Sequence, residues 1–517
     1  MSVGRSRVIF LARIAALGLL LALQACNFSK APSSPWRPVK SPREVATSEA
    51  IPATEQPLIT LMPSGQGAEQ MPPTPTPDPV RETPELRTEP IYHVVQPGDA
   101  LYKIAAHYET TVDAIIAVND LATPNYLQVG TTLLIPAPNL MGPGPNFKIL
   151  PDSELVYGPA VLLYDLHAGL SVSESALSQF SEDVDGQSMS GAEIAELIAV
   201  TYSVNPRLLL ALLEYQGGWL TESAVPEMIQ SYPLKYVTAG YEGLYEQLAW
   251  AADQLNRGYY LWRAGWEGPY LFSNGVAINP GAGVNAATVG VQYLFSQLYL
   301  PDEWRDVVGE QGFYQTFSTF FENPFSRVIE PLLPSDLSQP TFQLPFEPNR
   351  VWSYTGGPHK AWGEGSAWGA LDFAPPGNAL GCVLSNEWIV AVADGLVMHV
   401  GRGAVLQDLD GDGNLGTGWV VLYMHVETRD RVHEDTYLRA GDHIGHPSCE
   451  GGVASGTHVH IARRYNGEWI PADGPIPFNL EGWISAGWGH AYDGTLIRGD
   501  VTLVACACRA SNNQISR

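Results

Sequence analysis

A chain of 517 residues exceeds what one hydrophobic core supports, so two to four domains are expected. Apolar residues at 45% can build those cores, while 41 prolines and 51 glycines imply linkers and loop-rich parts. With 28 Lys and Arg against 54 Asp and Glu the formal charge is −26, which argues against electrostatic binding to nucleic acid.

In chain order, Arg5 and Arg7 precede an apolar run ending in Ile14–Leu23, too short for a comfortable transmembrane helix and fitting a secretory h-region. Leu23-Gln24-Ala25-Cys26 follows and resembles the lipobox of bacterial lipoproteins, with Gln24 an unusual occupant of its position. The resemblance implies removal of residues 1–25, lipidation of Cys26 and an exported protein anchored to the cell envelope. Ordinary signal cleavage and an uncleaved anchor are the alternatives. Export permits disulfides among the other four cysteines, Cys382, Cys449, Cys506 and Cys508. Cys506 and Cys508 are poorly placed to pair with each other if their segment is extended. Residues 26–90 are rich in Pro, Ser, Thr and Glu, culminating in MPPTPTPDP, and read as a disordered or polyproline-like tether.

Residues 91–138 change character. A strand at Tyr92–Val95 meets a turn at Pro97-Gly98-Asp99, and Asp99 can cap a helix running through Leu101, Ile104 and Ala105. Thr111 or Asp113 opens a second helix, and Thr132–Ile135 returns as a strand, giving β-α-α-β. The segment resembles a LysM domain at Tyr92, Val94, Gly98, Asp99, Leu101, Ile104, Ala105, Asn119, Leu127, Gly130, Leu133, Ile135 and Pro136. Ala100 departs from the usual Thr or Ser. The resemblance implies binding of N-acetylglucosamine-containing glycans between the two strand–helix loops, with Gly98, Asp99, Ala100, Leu101, Asn125 and Tyr126 as binding residues. A small spacer that binds nothing is the alternative.

Residues 150–345 read as mostly helical. Ser190 and Glu193 have capping-box spacing, Asn205-Pro206 starts a helix, Leu208–Leu213 should be buried, and Asn285 is placed to cap another helix. VNPRLLLALLEYQGGW resembles the first active-site helix of lytic transglycosylases and related lysozyme-like folds, with Gln216 where that pattern has its acid Glu. Glu214 lies about 200° round the helix from that position, so the expectation is a non-catalytic helical domain.

Residues 346–505 are rich in glycine and short β-prone runs, such as WIVAVADGLVMHV and GWVVLYMHV, which predict an antiparallel β domain. His359 and Asp372 lie beside turn-forming Gly and Pro, His425 follows on a predicted strand, and GTHVHIA supplies His458 and His460 on one strand face. A catalytic zinc wants three N/O ligands and an open position, leaving the other candidates for proton transfer. Spacing alone does not say which residue does which. The set GGPH, LDFAPPG and GTHVHIARRYNGEW resembles the lysostaphin/LytM superfamily of zinc endopeptidases, most closely its β-lytic branch. That resemblance implies zinc on His359, Asp372 and His460, and catalytic roles for His458 and His425. It also implies a bridged Cys449, with Cys382 as partner. Tyr423, two before His425, should leave the same strand face and help hold an oxyanion. Asp408, Asp410, Asp412 and Asn414 have the spacing of a calcium loop, with Trp419 where an EF-hand has its bidentate Glu, so calcium and a plain acidic turn both fit.

The combined expectation is an exported zinc endopeptidase that cuts peptidoglycan peptide cross-links while LysM holds the glycan. A secreted protease acting on Gly-rich proteins and a non-catalytic wall-binding scaffold are the alternatives.

Overall fold

The computed structural model describes residues 88–517, apart from 109, 120, 122–126, 172 and 173. The leader, Cys26 and most of the tether lie outside the described residues, as do Asn125 and Tyr126. Among the described residues no helix is long and apolar enough to cross a membrane.

Ile91–Val94 (β1) pairs antiparallel with Thr132–Ile135 (β2), enclosing Leu101–His107 (α1) and Val112–Asn119 (α2). Leu101, Ile104, Ala105, Ile115, Leu133 and Ile135 form this unit's own core. Thr111 caps α2, its Oγ1 accepting the Ala114 N–H at 3.1 Å. Asn119 closes α2 onto β2, its side chain exchanging hydrogen bonds with the Leu134 N–H and carbonyl. Asp99 does not cap α1. Its carboxylate is taken by the Gln96 N–H at 2.7 Å and by His93 Nε2 at 2.8 Å, one residue too far upstream to reach the helix. Leu101 is buried in the core, so its side chain is not a glycan contact.

The middle region is helical. Ser190 Oγ accepts the Glu193 N–H and the Glu193 carboxylate accepts the Ser190 N–H, which completes the capping box of Gly191–Tyr202 (α3). Pro206–Gly217 (α4) starts from an Asn205 cap and buries all of Leu208–Leu213. Leu244–Arg263 (α5) and Ala286–Ser296 (α6) cross closely, because a Cβ on Gly258 would lie 2.7 Å from the Val289 carbonyl and one on Gly290 2.7 Å from that of Leu255. Asn285 occupies the N-cap position of α6 but does not cap with its side chain: Asp152 accepts the Ala287 N–H instead, while Asn285 Oδ1 takes the Thr288 hydroxyl.

The C-terminal region is built on a nine-stranded antiparallel sheet. Its strands are Trp352–His359 (β3), Ala370–Ala374 (β4), Gly395–Gly401 (β5), Ala404–Asp408 (β6), Trp419–Met424 (β7), Tyr437–Leu438 (β8), Val459–Tyr465 (β9), Glu468–Trp469 (β10) and Gln514–Ile515 (β13). The order is β8-β5-β6-β7-β9-β4-β3-β13, with β10 paired to β9. A second sheet includes the hairpin of Trp483–Gly487 (β11) and Gly494–Arg498 (β12). Since β13 pairs with Trp352 and Ser353, the unit runs past the boundary expected at residue 505.

Both faces of the main sheet are covered. Val405, Val421, Tyr423, Val459 and Ile461 point to one core. Ala404, Leu406, Val420, Leu422, Ala462 and Trp469 point to the other, continuous with the helices of the middle region. Buried polar contacts stitch the two regions together: Arg464 donates to the Val200 carbonyl, Ser203 Oγ donates to that of Gly467, and Arg263 pairs with Glu468 at 2.6 Å. Cys382 and Cys449 form a disulfide. Cys506 and Cys508 are also joined, contrary to the expectation for an extended segment, because the strand Val501–Val504 has ended and the chain turns there, the Cys508 N–H donating to the Cys506 carbonyl.

Candidate metal centre

Strand register builds the centre. His460 on β9 lies directly opposite Asp372 on β4 and opposite Met424 on β7. On β3 the register slips twice, between Tyr354 and Gly356 and again before His359, so His359 arrives beside them. Gly356 faces Asp372, where a Cβ would lie 2.5 Å from Oδ2. The result is a compact set: His359 Nε2 is 3.1 Å from His460 Nδ1, and Asp372 Oδ1 is 3.3 Å from each. His458 shares the face of His460, with Nε2 3.6 Å from the same oxygen. The rings of His425 and His458 lie 4.4 Å apart.

Each of these four imidazoles has its far nitrogen tied to a backbone carbonyl. His359 Nδ1 reaches Gly357 at 2.8 Å, His460 Nε2 reaches Ala361 at 3.0 Å, His458 Nδ1 reaches Gly456 at 2.7 Å and His425 Nδ1 reaches Glu450 at 3.0 Å. A carbonyl can only accept, so each bonded nitrogen carries the proton and the inward nitrogen presents a lone pair. Asp372 Oδ1 is buried without a well-directed hydrogen bond. Burial alone would raise the Asp372 carboxyl, but the facing His359 and His458 hold it well below the usual range. Burial dominates at His460 and lowers it, while at His359 the Asp372 charge overcomes burial and raises it. A buried ionised carboxylate ringed by imidazole lone pairs suits a divalent cation. His359, Asp372 and His460 are placed to hold one ion together.

His425 is not on a strand: it follows the end of β7 with φ +63°, a left-handed conformation rare outside glycine. That turn breaks the alternation on which the Tyr423 expectation rested. Tyr423 is fully buried on the opposite side, its hydroxyl accepting the Val392 N–H at 2.8 Å and donating to Gln407 at 3.0 Å, so it is a core residue and no oxyanion donor. A tyrosine that the sequence reading missed does reach the centre. Tyr492, in the β11–β12 turn, stacks on His359 with ring centroids 4.2 Å apart, and is 56% exposed. Backbone exchange between Tyr492 and residues 357–358 fixes it there, a long-range contact with no local sequence signal.

Elsewhere, Glu214 accepts the N–H groups of Leu220 and Thr221 and the Thr221 hydroxyl, and Gln216 is buried against the Tyr299 hydroxyl. Neither is presented as a glycosidase acid. Asp408, Asp410 and Asp412 come close enough to share an ion. Their oxygens also cap their own loop: Asp408 accepts from Asp410, Gly411 and Gly413, and Asp412 from Asn414. Burial, and then the facing Asp410, push the Asp408 carboxyl up to about 8. Asn414 Oδ1 accepts the Gly416 N–H, and Trp419 is a buried core side chain.

Residues 93–136 match the model of the LysM domain family, and residues 148–334 match that of the LasA N-terminal domain. Protease LasA from two strains of Pseudomonas aeruginosa is 27% identical over 348 residues, covering 63% of this chain and 75% of that protein. Among solved structures, the M23 metalloprotease pseudoalterin from the deep sea is 21% identical, over 35% of this chain and 100% of its own, with a TM-score of 0.28. The catalytic domain of lysostaphin from Staphylococcus simulans is also 21% identical, over 24% of this chain and 90% of its own, with a TM-score of 0.18.

Proposed function

We propose that this chain, a LysM protein with a metallo-endopeptidase domain of the lysostaphin/LytM kind, is an exported zinc enzyme that hydrolyses peptide cross-links of peptidoglycan. One observation carries the reading: three histidines with their protons anchored outward lie within 3.6 Å of a buried carboxylate oxygen that no hydrogen bond satisfies, and a fourth, His425, packs on one of them. His359 Nε2, His460 Nδ1 and Asp372 are the ligands in this reading. Zinc, when bound, supplies Lewis-acid polarisation of the scissile carbonyl and an acidified water. His458 Nε2 accepts the proton given up by the attacking water, and Asp372 at 3.6 Å supports the resulting cation. His425, pushed down to about 3 by burial and by the neighbouring His458 and His460, stays neutral beside it. Once protonated, His458 can donate to the departing amine.

Lipidation of Cys26 and the tether would place the enzyme on the cell envelope, and LysM would hold it to glycan through the Gly98–Ala100 turn, raising local substrate concentration. Calcium in the Asp408 loop is a separate part of the proposal: EDTA followed by zinc alone should then fail to restore full thermal stability. The decisive experiment offers the zinc-loaded protein purified sacculi and a Gly-rich protein, with His458→Ala as control. Peptide release from sacculi that the control abolishes is expected. Release from the Gly-rich protein alone would replace the substrate, and a protein that neither retains zinc nor hydrolyses after its addition would remove the enzyme.

A further inference from the structure

We infer that Asp253, on helix α5 of the middle region, is a positioning residue of the metal centre, gripping the loop whose Ala361 carbonyl orients His460. The inference rests on the metal reading above and concerns an outer support of that site. The loop at residues 360–369 joins β3, which ends at His359, to β4, which carries Asp372. Its base is closed within itself: the Ala361 N–H donates to the Ala367 carbonyl at 3.0 Å, and that of Trp362 to Ser366 Oγ at 2.8 Å. Its tip is held by the other region. The N–H groups of Glu364 and Gly365 both donate to Asp253 Oδ1, at 2.6 and 2.8 Å. Tyr202 of α3 meets the Trp362 ring edge-on at 6.1 Å.

The tip's sequence, Gly363-Glu364-Gly365, matches this grip. Gly363 has φ +62°, and a Cβ on it would lie 2.6 Å from Asp253 Oδ1. A Cβ on Gly365 would lie 1.9 Å from the Asp253 carbonyl, so the loop can sit against the helix only without a side chain there. Burial raises the Asp253 carboxyl, and the two loop N–H groups are the strongest influences pulling it back. The route inward is short. Ala361 accepts the His460 Nε2 proton at 3.0 Å, which turns Nδ1 toward Asp372 and His359. Residues that fix the tautomer and angle of a ligand histidine tune metal affinity without touching the metal. Here the middle region supplies that support across the domain boundary.

The test uses the full chain loaded with zinc, in wild-type, Asp253→Ala, Asp253→Asn and Gly365→Ala forms. Zinc transfer to a chromophoric chelator is timed at a temperature where every form is folded, and the melting temperature of each zinc-free form is measured separately. Asp253→Ala should release zinc roughly tenfold faster, the low end expected for an outer support. Asp253→Asn keeps an acceptor oxygen and should return to within about threefold of wild type. Gly365→Ala, which displaces the tip while leaving Asp253 intact, should match Asp253→Ala and decides the matter if that variant does not fold. A purely structural contact would lower the zinc-free melting temperature and leave release rates within about twofold, which would overturn the inference. Wild type that binds no zinc would instead sink the metal reading itself.

Discussion

Two histidines two residues apart were legible as partners because a strand's period puts i and i+2 on one face, and His458 and His460 do share it. The same rule failed for Tyr423 and His425, since the chain leaves the strand at Met424 and His425 turns left-handed. Alternation is informative only while the ladder lasts, and nothing in LYMHVE marks where it stops. The division of labour proposed for the histidines makes a concrete expectation. His460→Ala and Asp372→Ala should lose stoichiometric zinc, whereas His458→Ala should retain it and lose about 10²–10⁴ in kcat, the range for a proton-transfer group. Metal analysis beside hydrolysis assays reads both. A second expectation concerns pH. Burial, and then the facing Asp152, push Glu330 up to about 7, above the ordinary 4.5. The folded chain thus keeps a proton that the unfolded chain releases, so this group's contribution is complete below pH 4.5 and is lost as pH rises through 7. Glu330→Gln keeps an acceptor for the Ser153 N–H and should gain about 1 kcal/mol over wild type at pH 8, with little difference at pH 4, in denaturant titrations.

At the scale of elements, starts of helices were readable where the capping residue stands next to its helix, as at Ser190 and Asn205. They were misread where a distant group competes for the same N–H, as Asp152 does at Asn285, or where the local side chain is bound upstream, as at Asp99. The loops around His425 and His458 show a similar reach. Cys449 precedes Glu450, whose carbonyl holds His425 and whose carboxylate pairs with Arg431 and Thr428. Cys382 ties this segment to the loop that also grips Thr457, next to His458. The double variant Cys382→Ser/Cys449→Ser should therefore do two things: lower stability by about 2–5 kcal/mol, and reduce kcat more than KM. Reduced kcat with unchanged zinc content would place the effect at the histidines. A stability loss alone would confine the bridge to a structural role.

Across the whole molecule, changes of composition marked the LysM, helical and β regions, but not how the last two are joined. The signal was present in the strands: WVVLYM on β7 is apolar on both faces, the pattern of a strand buried from two sides, whereas a sheet open to water alternates. Helices α3 and α5 cover the second face, so the middle region and the C-terminal β region share one core. Arg464 and Glu468 lie buried at that junction, where separation would strand charges in an apolar surface. The LysM unit differs, having its own small core and meeting the helical region at a hydrogen bond from Thr111 to the Ser273 carbonyl. Scanning calorimetry of the full chain should accordingly show two transitions. One belongs to LysM, with an enthalpy of about 30 kcal/mol, and the other to residues 148–517 together, near 250 kcal/mol if about 0.7 kcal/mol per residue applies. For the larger transition the calorimetric and van't Hoff enthalpies should agree, since a core that spans both regions cannot melt by halves. A van't Hoff value near half the calorimetric one would mean that the helical cover comes off first and the sheet stands without it.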